Sequence, residues 1–176
     1  MKLLTPCFLG RRHAWLLAIT LLTACGQQAA QNTAAIEITR ETACSLDGMT
    51  LADYPGPKAQ IHFATQSAPE YFCDLMEMFD IYLKPEQARK VTALYVQDMG
   101  KTSWEEPKGA WFDAKTAFYV VGSKKMGSMG PTFGSFAKEE DAKKFVSANG
   151  GKVYKFDEIT PDMTALDGGA LHDRHM

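Results

Sequence analysis

Two stretches of the chain carry helical periodicity, and each stands at the same place in a run of short β segments. The first, "SAPEYFCDLMEMFDIYL" from Ser67, offers a Ser cap, an early Pro and apolar residues at Phe72, Leu75, Met76 and Phe79, spaced by threes and fours. The second, "KEEDAKKFVSANGG", has Ala142, Phe145 and Val146 on one side and a glycine stop at Gly150. Ahead of the first lie "AIEIT" (35–39) and "AQIHF" (59–63), which read as strands around a loop punctuated by Pro55, Gly56 and Pro57; behind it "KVTALYVQDM" alternates as a strand. The second is preceded by "TAFYVVGS", dense in β-branched and aromatic residues as a central strand is, and by "FGSFA"; it is followed by "KVYKFDEI". The order strand, loop, strand, helix, strand therefore appears twice. It predicts an α+β fold of two small related halves, each antiparallel strands plus one helix (ββαβ-like), over residues 36–100 and 101–160.

The ends of the chain predict something other than fold. Lys2, Arg11 and Arg12 form a basic region, Ala14 to Leu22 is apolar but too short to span a bilayer, and small residues follow. Residues 1–24 read as a signal peptide ending in "LTAC", which resembles a bacterial lipobox, so that Cys25 becomes a lipidated N-terminus. Gly26, where an Asp commonly retains a lipoprotein in the inner membrane, favours the periplasmic face of an outer membrane. Residues 25–35 read as a flexible tether and 161–176 as a mobile, acidic tail.

Charge and motif content narrow the function. Removing residues 1–24 takes away three of the 19 Lys+Arg and leaves 16 against 21 Asp+Glu, a side-chain charge of minus five. No basic stripe is left to neutralise phosphates, so no nucleic-acid partner is expected. Beyond the leader the only histidines are His62, His172 and His175, from which no nucleophile triad can be built, and "GSKKMGSMGP" lacks the Gly-Lys-Ser/Thr ending of a phosphate loop. A lyase acting on a carbon to metal bond would need a cysteine pair with an adjacent acid, for which Cys44 with Asp47 is a poor candidate. The sequence reads as that of a non-enzyme.

What the chain concentrates is sulfur. After the leader it has eight methionines, the nine of the chain less the initiator, and two thiols apart from Cys25, namely Cys44 and Cys73. Those two either form a disulfide or stay reduced, with at least one binding a soft metal. Thiolate and thioether ligands select Cu(I), which tolerates two or three donors. Met76 and Met78 read as helix packing and Cys73 as a buried thiol on its helix. "CSLDGM" differs, because a turn at Gly48 lets Cys44 and Met49 point at one place. So do Met126 and Met129, which sit among glycines where there is no core to fill. In the tail, His172 and His175 could meet on one face and cap a site if that segment turned helical.

The leader, "CSLDGM", "FCDLMEMF", "ALYVQD", Trp104 and Trp111, "AFYVVGS", "MGSMGP", "SFAKEEDAKKF" and "GGKVYKFDEI", in this order, closely resemble the nitrous oxide reductase accessory lipoproteins, the NosL family. The resemblance implies a periplasmic, membrane-anchored lipoprotein that carries Cu(I) to the apo-protein of nitrous oxide reductase with a membrane ABC-type assembly complex as partner. It also implies halves similar to the organomercurial lyase fold. Many members have Cys-x-x-Cys-Gly-Met, and here Asp47 replaces the second cysteine, which points to a weaker, exchangeable site of mixed sulfur and nitrogen ligands. The expected Cu(I) ligands are Met49 and Met126 first, then Cys44 and Met129, with His172 or His175 capping, and Met126 engaging before Met129. The rival expectation is a metal-free, lipid-anchored scaffold that docks partners through Trp104, Trp111 and the methionine loop.

Overall fold

The computed structural model describes residues 33–164. Five short segments open it: β1 (Ala59–Phe63), β2 (Glu70–Phe72), α1 (Leu75–Leu83), β3 (Val91–Gln97) and β4 (Trp111–Asp113). Their strands form an antiparallel sheet in the order β2-β1-β3-β4. There follow β5 (Phe118–Val121), a two-stranded hairpin of β6 (Met126–Gly127) and β7 (Gly130–Pro131), then β8 (Gly134–Phe136), α2 (Glu139–Asn149) and β9 (Lys152–Lys155). Here the antiparallel sheet has the order β8-β5-β9. The architecture is α+β, as the residue pattern predicts. In both sheets the first strand of the set lies between the second and the one that follows the helix.

Burial explains why β5 reads as a central strand. Tyr119 and Val120 are both fully buried but belong to different clusters. Val120 meets α2 through Phe136, Ala142, Phe145 and Val146. Tyr119 faces the main core, where Phe79 of α1 packs edge-on against it at 5.0 Å and lies 6.0 Å from Phe133 and 5.4 Å from Phe156. Helix α1, which follows a strand of the first sheet, thus buries its aromatic face on residues of the second. The two sheets share one core. Met78 is fully buried in it and Met76 packs at its border, both as packing residues.

Four segments depart from the sequence reading. "AIEIT" is no strand: Ile36 is held by the side-chain amide of Gln60, which accepts from its N–H at 3.0 Å and donates to its carbonyl, while the neighbouring Glu37 accepts from Trp111 Nε1 at 3.2 Å. The helix expected from Ser67 begins only at Leu75, because Glu70, Tyr71 and Phe72 are taken into β2 by pairing with β1. Asp74 then caps it, its Oδ1 accepting from the N–H groups of Met76 and Glu77 at 2.9 and 3.2 Å. Trp111–Asp113, expected in the second half, extends the first sheet by pairing with β3. The chain also stays docked past residue 160: Pro161–Met163 forms a 3-10 turn and Thr164 is buried. Cys25, His172, His175, the signal, most of the tether and the remainder of the tail lie outside the described residues.

Candidate metal centre

The turn that carries Cys44 is closed by its own main chain. Cys44 N–H donates to Met49 O at 2.8 Å, Gly48 N–H donates to Cys44 O at 2.9 Å, and Ala43 bridges to Thr50. Gly48 has φ +78°, which an L side chain adopts only with strain. The Asp47 carboxylate stitches the turn, its Oδ1 accepting from the N–H of Met49 at 2.9 Å. A second contact fixes the turn against the sheet: Ser45 and Tyr71 exchange N–H bonds at 2.8 and 3.0 Å, the second to the Ser45 hydroxyl. Two residues on from Tyr71 lies Cys73, between β2 and the Asp74 cap and not on the helix.

Three donor atoms converge here. Cys44 Sγ, Cys73 Sγ and a Glu77 carboxylate oxygen all lie within 4.8 Å of one another, and all three residues are buried. Both thiols are free. Glu77 Oε2 accepts the N–H of Cys73 at 2.9 Å and stands 3.2 Å from Cys44 Sγ. Glu77 occupies the third position of α1, so the Asp74 cap that starts the helix also aims this carboxylate at the cysteines.

The electrostatics separate the two thiols. A hydrogen bond from Cys73, aided by main-chain N–H groups of Leu46, Cys73 and Asp47 and opposed by burial, lowers Cys44 to about 6. Cys73, which gives that hydrogen bond and is itself buried, is pushed strongly up. Burial first, then the charge of Asp74 and the contact with Cys44, raises Glu77 to about 8. The two shifts run in opposite directions and favour the proton on the Glu77 carboxyl and the thiolate form of Cys44. A soft cation meets one ready thiolate, one thiol that binding would deprotonate and one carboxyl.

The methionines divide. Met49 is half-buried beside Cys44, Leu51 and Cys73, and its carbonyl lies 3.7 Å from Cys73 Sγ. Met126 and Met129 are 52% and 55% exposed, on the β6–β7 hairpin. That hairpin is no loose loop. Trp104 Nε1 donates to Met126 O at 3.0 Å, and the Ser128 hydroxyl at the tip donates to Asp74 Oδ2 at 3.0 Å and Glu77 Oε1 at 3.4 Å. Gly127 makes the approach possible, since a Cβ there would lie 2.7 Å from Thr132 Cγ2 and 3.2 Å from Asp74 Oδ2. One carboxylate, Glu77, thus touches the cysteines with one oxygen and the methionine hairpin with the other.

The structure brings Cys44 and Met49 together and sets the hairpin of Met126 and Met129 beside them. It adds Cys73 and Glu77, which sequence reasoning did not place in the site. The Asp74-Leu75-Met76-Glu77 spacing was the available signal, a capping pair whose acid turns back toward the preceding residue. Trp104, expected as an exposed docking aromatic, is buried against Phe145 with ring centroids 5.3 Å apart.

Comparison with known proteins agrees with this reading of the fold. A copper-binding lipoprotein NosL from Stutzerimonas stutzeri is 36% identical over 168 residues, covering 90% of this chain and 87% of the relative. Another of that name from Achromobacter cycloclastes is 38% identical over 150 residues, covering 83% and 78%. The crystal structure of the copper chaperone NosL from Shewanella denitrificans superposes with a TM-score of 0.71 at 38% identity, covering 73% of this chain and 97% of that one. The NosL family model matches residues 35–164, the span that holds both sheets and every residue of the cysteine cluster and the hairpin, and with these relatives it makes the chain a member of the NosL family.

Proposed function

We propose that this chain is a carrier of Cu(I), bound at Cys44 and Cys73 with Met49 and the hairpin methionines Met126 and Met129 as exchangeable partners. The observation that carries the reading is the convergence of two buried free thiols on one carboxylate, with that carboxylate hydrogen-bonded to a hairpin bearing two exposed thioethers. Thiolate and thioether are the donors that Cu(I) prefers. The relatives' names, copper-binding lipoprotein and copper chaperone, support the same cargo.

The proposed work is ligand exchange. Surface thioethers take the ion first, the Cys44 thiolate follows, and the proton that Cys73 gives up on binding passes to water, since Glu77 already holds one. Delivery runs in reverse, a partner's ligands displacing the thioethers so that free copper is never released. We further propose that the recipient is the apo-protein of nitrous oxide reductase, through a membrane ABC-type assembly complex, with the chain anchored at Cys25 on the periplasmic face of the membrane. No helix among the described residues is long and apolar enough to cross a membrane. In this proposal His172 or His175 caps the ligand set from the tail.

Two other readings fit less well. A metal-free scaffold has no use for converging thiols, and its Trp104 is inside the protein. A carbon to metal lyase does find a cysteine pair with an acid here, in Glu77 and not Asp47. Yet Cys73 has no exposed surface and Cys44 only 4%, which suits an ion handed inward better than an organic substrate.

Competition with a chromophoric Cu(I) chelator tests the proposal. Cys44→Ser with Cys73→Ser should lose Cu(I) affinity by orders of magnitude, and Met49→Ala with Met126→Ala by less. Unchanged affinity in both would sink the assignment. Cu K-edge absorption, which counts sulfur against nitrogen neighbours, decides whether the histidines join.

A further inference from the structure

Lys58, directly ahead of β1, has no exposed surface. Its Nζ donates to three main-chain carbonyls, Tyr54 O at 2.8 Å, Pro55 O at 3.1 Å and Cys73 O at 2.9 Å. An ammonium has three N–H donors and a neutral amine two, so three acceptors suit the charged form. Among the described residues no carboxylate forms an ion pair with it. The charge is therefore buried, neutralised by no contact, and fixed against the residue that bears one of the two thiols. Its field and the fields of Cys73, Asp74, Glu77 and Cys44 act on one another, these groups offsetting the burial that lowers Lys58 to about 8.

Two thiols and a carboxylate do not by themselves select Cu(I). Zn(II) takes the same donors readily. We propose that Lys58 is a specificity-determining residue of this centre, whose fixed positive charge disfavours divalent ions such as Zn(II) more than it disfavours Cu(I). The inference rests on the reading of the centre given above. Cu(I) that displaces the Cys73 proton leaves the charge of the centre unchanged while Zn(II) raises it by one, so the fixed charge of Lys58 opposes Zn(II) and leaves Cu(I) nearly unaffected.

The test uses the full chain, with Cu(I) measured by chelator competition and Zn(II), added alone as the sulfate, measured against a zinc chromophore. Lys58→Met removes the charge, Lys58→Gln removes it while keeping N–H donors, and Lys58→Arg keeps it. The neutral variants should bind Zn(II) more tightly than wild type, by a factor larger than any gain in Cu(I) affinity. Lys58→Arg should keep the wild-type ratio of the two. A purely structural Lys58 would lower both affinities together, in Lys58→Arg as well. Equal factors for the two metals, or an Arg variant that shifts the ratio as Met does, overturn the proposal. If no neutral variant folds, Asp74→Asn, which keeps the helix cap and removes a nearby negative charge, must weaken Zn(II) more than it weakens Cu(I); equal factors there overturn it too. Should Cys44→Ser with Cys73→Ser bind Cu(I) as wild type does, the reading of the centre fails, whatever Lys58 does.

Discussion

Cys44 Sγ and Glu77 Oε2 stand 3.2 Å apart inside the protein, and their proton affinities are shifted in opposite directions. The thiol is held down, to about 6 from 9.0, chiefly by the hydrogen bond from Cys73. The carboxyl is held up, to about 8 from 4.5, chiefly by burial. The causes differ, so removing one partner leaves most of the other's shift in place.

That asymmetry gives opposite pH slopes to two variants. Between about pH 4.5 and 8 the native chain binds a proton at Glu77 that the unfolded chain lacks, so this stability is full at low pH and falls as pH rises through 8. Between about pH 6 and 9 the unfolded chain binds a proton at Cys44 that the native chain lacks, so this stability is full at high pH and is lost as pH falls through 6. In wild type the two offset each other between 6 and 8. Relative to wild type, Cys44→Ser should lose stability as pH rises through that window, and Glu77→Gln should gain it. Urea unfolding across the window measures both, and slopes of the same sign would show that the two groups do not exchange a proton.

How much of this could be read from the chain depends on where each determinant lies. Strand β5 was legible because "FYVV" is apolar on both faces, and both faces are in fact covered. Helix α2 was legible because Gly150 sits one residue past its end at φ +76°. Met126 and Met129 were legible because glycines left them nothing local to pack on. The start of α1 was not, since what makes Tyr71 extended is Gln60, eleven residues upstream in β1. The same holds for Lys58 and Glu77. Charged residues in a sequence read as surface, and only the tertiary arrangement of three carbonyls or two cysteines puts them inside.

Oxidation should close the centre. The two sulfurs lie within 4.8 Å of one another and both thiols are free. A disulfide oxidant such as oxidised glutathione accepts two electrons and two protons, becomes two thiols, and leaves Cys44 joined to Cys73. The expected product has neither thiol available to alkylation, shows one cross-linked peptide by mass spectrometry, and loses Cu(I) affinity until dithiothreitol restores it. Oxidised protein that still competes with the chelator as well as the reduced form would place copper elsewhere.

The shared core predicts one unfolding transition. Phe79 is fully buried, packed edge-on against Tyr119 and tilted against Phe156. Phe79→Ala should cost about 3–5 kcal/mol, the range for truncating a buried aromatic. Calorimetry should show the loss as a lower midpoint of a single transition. Two resolved transitions, only one of them moved, would mean that the sheets unfold independently.

Seating of the methionine hairpin is the last point open to direct test. Ser128 holds the tip on Asp74 and Glu77, and Gly127 is the residue that lets it come so close. Gly127→Ala puts a methyl group 2.7 Å from Thr132 Cγ2, an overlap that costs about 1–3 kcal/mol or lifts the hairpin off. Ser128→Ala removes the hydroxyl and leaves the backbone alone. Met126 and Met129 are exposed and the cysteines are buried, so on the proposed reading the hairpin should govern entry and exit more than final affinity. Stopped-flow transfer of Cu(I) from a chelator should slow several-fold in Gly127→Ala, in Ser128→Ala and in Met126→Ala, with Met129→Ala slowed less. Equilibrium affinity should change by a smaller factor than the rate in each. If affinity falls as far as the rate does, the hairpin methionines are permanent ligands and not a relay.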